Sequence, residues 1–211
     1  RLLVIGSGAI GIEFASFYSD LGAEVTIVEM LDRILPVEDA EVSDFMTKAL
    51  TKQGMTIHTS TGVQKLEASA KGVLAEIKGP DGKVVSGEYS HAIVAIGIVP
   101  NIENIGLDEL GVARAKNGHI ETDAYGRTNV PGIWAIGDVA GAPWLAHKAS
   151  HEGVVAAESI AGHEGVHPMD KGNIPGCTYA RPQVASVGMT EAKAKEAGYS
   201  VKVGKFPFIV N

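Results

Sequence analysis

At 211 residues, 45% of them hydrophobic, the chain is long enough for one large globular domain or one domain with pieces of others. A formal net charge of −7 argues against a nucleic-acid binder, because no basic face dominates. The longest apolar stretch, Ala92 to Val99, falls far short of the about 20 residues of a membrane span. The single cysteine, Cys177, permits no internal disulfide and fits a reducing, cytoplasmic compartment.

In chain order, Leu2 to Ile5 reads as a short buried strand. Residues 10–21 read as a helix whose apolar spacing is set by Ile10, Phe14, Phe17, Tyr18 and Leu21, and which Gly22 stops. Glu24 to Val28 reads as a second strand. Asp39 is placed to cap a helix over 40–53, with Val42, Phe45, Met46, Ala49 and Leu50 facing inward. Glu38, Asp39 and Glu41 suit the positive end of that helix. Met55 to His58 returns as a strand.

The texture then changes. Residues 63–68, 73–78 and 84–89 read as three antiparallel strands, with a turn at Pro80-Asp81-Gly82 between the last two. This crossover is therefore a β-meander and not a helix. Residues 91–96 return to the parallel sheet as a short apolar strand ending in Gly97. Residues 106–116 read as irregular, with a small Leu107, Leu110, Val112 cluster. Residues 131–136 read as another buried strand with Trp134 in the core, and 144–162 as a helix rich in small residues. Further on, 183–188 is strand-like, Thr190 caps a short helix to Ala197, and 199–204 is strand-like again.

The most informative stretch is the first. An apolar strand is followed by Gly6-Ser7-Gly8-Ala9-Ile10-Gly11, a helical pattern, a second apolar strand and then Glu29. Gly6 lets the chain turn off the strand, Gly8 lets a pyrophosphate approach the backbone, and Gly11 lets the helix pack closely on the sheet. Free N–H groups at the helix start attract the anion. An acid about 20 residues on is placed to accept hydrogen bonds from an adenosine ribose. In a chain with 26 glycines a glycine triplet alone is weak. Here the strand, helix, second strand and acid accompany it, and a purely structural turn would explain only Gly6. Glu29 would repel a 2′-phosphate, and no pair of arginines follows it, which favours NAD over NADP.

Three segments together carry a resemblance. They are Gly6-x-Gly8-x-x-Gly11-x-Glu13, then Val94 to Gly97 with Pro100-Asn101, then Thr128 to Gly137-Asp138. The chain resembles the two-dinucleotide flavoprotein disulfide reductases over essentially its whole length. Residues 145–149 with Glu152-Gly153, and Ile34 to Ser43, are most similar to the branch that oxidises dihydrolipoyl groups. The resemblance implies that Gly6 to Gly11 hold the NAD pyrophosphate and that Glu29 binds the ribose. It implies that Val63 contacts adenine, that Gly97 lies on a loop close to the cofactor, and that Glu13 sits near the nicotinamide amide. It further implies that Asp138 binds the ribityl chain of FAD. Leu145, Ala146 and His147 would form a helix start beside the flavin ring. Implied partners are the lipoyl domains of 2-oxo-acid dehydrogenase complexes and a second copy of the chain in a homodimer.

The expected fold is α/β: a Rossmann-like NAD domain at 1–118, the C-terminal part of an FAD domain at 119–169, and the start of an α+β interface domain at 170–211. The family's first glycine motif, its redox pair in C-x₄-C spacing and its C-terminal His-Glu pair have no counterpart here. The chain also begins directly in a strand and stops without a natural ending. The expectation is therefore a middle piece that carries no catalytic residue and is inactive alone. His147 and His151 share helical spacing but lack a third ligand, so no metal site is expected. Cys177 reads as a packing residue, and Tyr179 is given no chemistry. A non-catalytic NAD-binding module or redox sensor, and another flavin-linked oxidoreductase such as a mercuric reductase, are the competing readings.

Overall fold

The computed structural model describes residues 1–208; Ile209 to Asn211, the end of the expected interface segment, lie outside the described residues. The chain divides into two compact units. One is Arg1–Gly97 with the residues from Cys177 onward, and the other is Ile98–Gly176.

The first unit is built on a parallel sheet. Strand β1 (Leu2–Ile5) leads into helix α1 (Ala9–Asp20), β2 (Val25–Val28), α2 (Ala40–Lys52) and β3 (Thr56–His58). A three-stranded antiparallel meander follows: β4 (Gly62–Ser69), β5 (Gly72–Lys78) and β6 (Val84–Tyr89). Strand β7 (His91–Val94) then re-enters the parallel sheet, whose order is β3-β2-β1-β7. The crossover through α1 leaves β1 for β2 on one side, and the chain returning from β3 through the meander places β7 on the other, so the strand order reverses at β1. Open sheets of this kind bind ligands beyond the carboxyl ends of the strands at that point.

Strand β1 is apolar throughout because both its faces are covered. Leu2 and Val4 pack with Ile12, Ala15, Ile27, Met46 and Leu50 on the helix side, whereas Leu3 packs with Val28, Ala75 and Tyr89 of the meander side. The turn between β5 and β6 closes as expected, with the Gly82 N–H bonded to the Gly79 carbonyl and the Lys83 N–H to Asp81.

Two helix faces differ from the periodicity. On α1 the buried residues are Gly11, Ile12, Ala15 and Ser16, while Ile10, Phe14, Phe17, Tyr18 and Leu21 are exposed. Close approach to the sheet selects small residues, so the bulky stripe is turned away from it. On α2 the buried residues are Ser43, Met46 and Leu50, and Phe45 is exposed. Asp39 occupies the N-cap position of α2 without a side-chain cap; its carboxylate accepts the Glu191 N–H instead, at 2.8 Å. That bond ties down α4 (Glu191–Glu196), which Thr190 caps through the Lys193 N–H. Strands β8 (Gly176–Thr178) and β9 (Val184–Ser186) form a small two-stranded sheet, and residues 199–204 form no strand.

The second unit centres on Ile102, Leu107, Val112, Ile120 and Ala135, and carries helix α3 (Ala146–Ile160). Leu110, expected in this cluster, is exposed. Residues 131–136 form no ladder; a single bridge joins Trp134 to Arg127. The chain turns at Val130–Ile133 through an Ile133 N–H to Val130 carbonyl bond, and Gly132 has φ +84°, which breaks the extension a strand needs. Trp134 is half-buried, and its indole N–H is buried without a partner.

Candidate functional site

At the carboxyl end of β1 the chain passes through Gly6 with φ +95°. A Cβ there would lie 2.4 Å from the Ala95 carbonyl oxygen, because the chain leaving β7 runs alongside. Gly11 is more constrained still: its Cβ would lie 2.0 Å from the Gly6 carbonyl oxygen. These contacts bring α1 onto the loop, as the glycine spacing predicts. A Cβ on Gly8 would meet nothing within 4 Å. Gly8 is the N-cap of α1, and no side chain caps the helix. The first intrahelical bond runs from the Ile12 N–H to Gly8, so the N–H groups of Ala9, Ile10 and Gly11 have no partner within the helix. An anion is the natural partner for such a terminus.

Glu29 directly follows β2 beside this loop and is only 8% exposed. Its Oε2 accepts from the Ser7 N–H at 2.8 Å and from the Ser7 hydroxyl at 2.6 Å, and its Oε1 accepts from the Leu31 N–H at 2.8 Å. Burial alone pushes the carboxyl upward. Hydrogen bonds from the Leu31 N–H and from the Ser7 hydroxyl and N–H, with a smaller contribution from the nearby Met30 N–H, outweigh it together and hold the group below its ordinary range. Glu29 is therefore an anion at neutral pH.

The remaining expected residues of this unit lie on three different elements. The Glu29 carbonyl accepts the Thr61 N–H, so Val63 stands two residues past a direct tie to the end of β2; it packs against the Leu3–Tyr89 cluster. Gly97 follows Ala95, whose N–H bonds to the Ile5 carbonyl at the end of β1. Glu13 lies one turn into α1, and its carboxylate accepts the Tyr179 N–H at 2.8 Å. Two further bonds follow along the helix: the Ser16 hydroxyl accepts the Arg181 N–H, and the Arg181 guanidinium meets Asp20 at 2.6 Å. The sequence reading gave Tyr179 no role, because a backbone N–H leaves no trace in residue identity.

Asp138, Leu145, Ala146 and His147 lie in the second unit. Asp138 is exposed, within a 3₁₀ turn over Gly137–Ala140. Leu145 is the N-cap of α3, again with no side-chain cap, so the first N–H groups of α3 are open. The His147 ring is bonded through Nε2 to the Pro175 carbonyl at 2.8 Å.

Between these elements lies a feature that the sequence reading passed over. The Lys148 side chain is wholly buried; its Nζ donates to the Gly137 carbonyl and to Glu152 Oε2, each at 3.0 Å. The same Glu152 oxygen accepts the Gly137 N–H at 2.7 Å. Both polar groups of Gly137 are thus held by one ion pair on α3. The available signal was the four-residue spacing of Lys148 and Glu152 in a helix of otherwise small residues. Among the described residues no three His, Cys, Asp or Glu side chains form a metal-binding group, and no helix is long and apolar enough to cross a membrane.

Residues 1–153 match the family model for pyridine nucleotide-disulphide oxidoreductases, and residues 174–211 match the dimerisation domain of the same family. The chain is 64% identical over its whole length to a dihydrolipoyl dehydrogenase of Zymomonas mobilis, of which it covers 45%. It is 56% identical to one from Rhizobium etli, covering 44% of that protein. Among solved structures, LpdA from Mycobacterium tuberculosis superposes over 93% of this chain and 42% of its own, with a TM-score of 0.82 and 32% identity. The HOCl-induced flavoprotein disulfide reductase RclA from Escherichia coli superposes over 94% of this chain and 45% of its own, with a TM-score of 0.83 and 28% identity. The chain thus spans less than half the length of the relatives it matches.

Proposed function

The chain belongs to the pyridine nucleotide-disulphide oxidoreductase family, and we propose that it is the NAD(H)-binding portion of an FAD-dependent dihydrolipoyl dehydrogenase. The observation that carries this reading is the ionised, firmly held Glu29 beside an uncapped helix terminus at the reversal point of a parallel sheet. The identity of 64% to a dihydrolipoyl dehydrogenase favours that branch of the family.

A dinucleotide suits the groups present. The N–H groups of Ala9, Ile10 and Gly11 have no partner within the helix and would take the pyrophosphate, with the space beside Gly8 admitting it. Glu29 would accept from the adenosine ribose, and Val63 would stand by the adenine. Gly97, at the end of the segment that runs past Gly6, and Glu13, one turn into α1, would line the nicotinamide half. In the second unit, Asp138 and the open start of α3 at Leu145, Ala146 and His147 would take part of FAD, held in place by the Gly137 clamp. When bound, the two cofactors supply the electron-accepting chemistry for a dihydrolipoyl dithiol. The chain's own part is to bind, to orient and to exclude the wrong nucleotide.

The domain division that goes with this is 1–118 for NAD, 119–169 for FAD and 170–211 for the interface; the dimerisation-domain match at 174–211 supports the last and, with it, a homodimer. Lipoyl domains of 2-oxo-acid dehydrogenase complexes are the proposed partners, in the cytoplasm. With Cys177 as its only cysteine, this chain cannot itself hold an intramolecular redox disulfide, so it binds NAD(H) without turning over the dithiol.

Calorimetric titration tests this. NADH should bind saturably to the 211-residue chain, and Glu29→Ala should weaken it at least about tenfold, the scale of one lost charge-assisted hydrogen bond. Unchanged affinity in that variant would remove Glu29 from the site. Dihydrolipoamide-dependent NADH production by the same chain would refute the non-catalytic part.

A further inference from the structure

Ser7 lies inside the glycine loop, yet it has nothing left to offer a ligand. It is fully buried. Its N–H and hydroxyl are both given to Glu29 Oε2, and its carbonyl accepts the Leu35 N–H at 2.9 Å. We propose that Ser7 is the residue that sets nucleotide specificity, by holding the Glu29 carboxylate in the one orientation that accepts a ribose 2′-hydroxyl and rejects a 2′-phosphate. This rests on the reading of residues 6–29 as an NAD(H) site.

A glutamate at a strand end is not selective by charge alone. Three side-chain torsions let it swing away from an incoming phosphate, and the repulsion is then relieved at small cost. Here that escape is closed. Two donors from Ser7 fix one oxygen and the Leu31 N–H fixes the other. An ionised carboxylate has about four acceptor sites. Oε2 has two donors and Oε1 has one, so a single position, on Oε1, remains. That position suits one hydroxyl donor. A phosphate, which only accepts, finds a fixed anion and no donor. Rejection is strong where a buried polar group is held in place and would be left unpaired by the wrong ligand. Ser7 is thus a positioning residue acting through Glu29, and the short hydroxyl bond at 2.6 Å is the link a substitution would remove.

The test is a double-substitution cycle read as the ratio of NADPH to NADH dissociation constants in the 211-residue chain. Ser7→Ala should lower the preference for NADH about tenfold, the scale of one hydrogen bond to a charged group. It should do so by weakening NADH and tightening NADPH together. In a Glu29→Gln background, Ser7→Ala should leave the ratio unchanged, since the charge it orients is gone. Thermal unfolding of each variant identifies any that fails to fold. Ser7→Thr, which retains the hydroxyl, should keep the parent's ratio and serves as the second variant. An unchanged ratio in Ser7→Ala, or an equal fall in both backgrounds, would overturn the assignment of Ser7 alone. A parent chain that binds neither nucleotide would overturn the site reading itself, and this inference with it.

Discussion

Glu29 is where composition becomes chemistry. A carboxylate buried to this extent would ordinarily be driven toward its neutral form. The Ser7 N–H and hydroxyl and the Leu31 N–H reverse that balance, so its folded ionisation lies below the ordinary 4.5. A group whose folded pKa is depressed stabilises the fold above its unfolded value and loses that contribution as pH falls through the folded one. Glu29→Gln should therefore cost about 1.5–3 kcal/mol near neutral pH. The cost should shrink as pH drops below 4.5. Urea denaturation of parent and variant at about pH 7 and about pH 3 measures this; an equal cost at both values would show that the charge is not what the three donors hold. The position of Glu29 directly after β2 was legible from spacing alone. Its partners were not, because serine in a glycine loop reads the same whether it faces a ligand or an acid.

At the scale of elements, the same limit appears in α1. Bulk suggested an inward stripe at Ile10, Phe14, Phe17, Tyr18 and Leu21, but Gly11, Ala15 and Ser16 made the better contact with the sheet. Periodicity gives a helix its faces; which face is buried depends on how closely the neighbour comes. The expected strand at 131–136 failed for a related reason: an extended segment needs a partner for its ladder, and beyond the Arg127 bridge none is described. Helix α3 shows what a partner can do. Lys148 is fully buried only because Glu152 and the Gly137 carbonyl satisfy it. Lys148→Met should destabilise the second unit by about 3–5 kcal/mol, by leaving Glu152 charged, largely buried and unpaired. Adding Glu152→Gln should recover much of that loss, since an amide oxygen can still accept the Gly137 N–H. Urea unfolding of both variants decides it, and a double substitution no more stable than the single one would mean that the pair is not the clamp.

For the whole molecule, the first unit carries a complete strand-loop-helix-strand unit, and its order was readable because each junction carries its own signal. Gly6 turns the chain at the end of β1, Gly11 lets α1 close, and the Gly79–Gly82 turn marks the meander that carries the chain from β3 to β7 in place of a crossover helix. The second unit carries fewer such signals, and its expected strand at 131–136 gave way to a turn with a single bridge. The central claim is that NAD(H) binds at residues 6–11 and 29. Backbone amide chemical shifts of the 15N-labelled chain, followed through an NADH titration, test it most directly. The account predicts saturable shifts concentrated at Gly8 to Ile12, Glu29, Leu31, Val63 and Gly97, with the amides of 138 and 145–147 moving little. Shifts absent from Gly8 to Ile12, or concentrated around Asp138 and the start of α3, would contradict it.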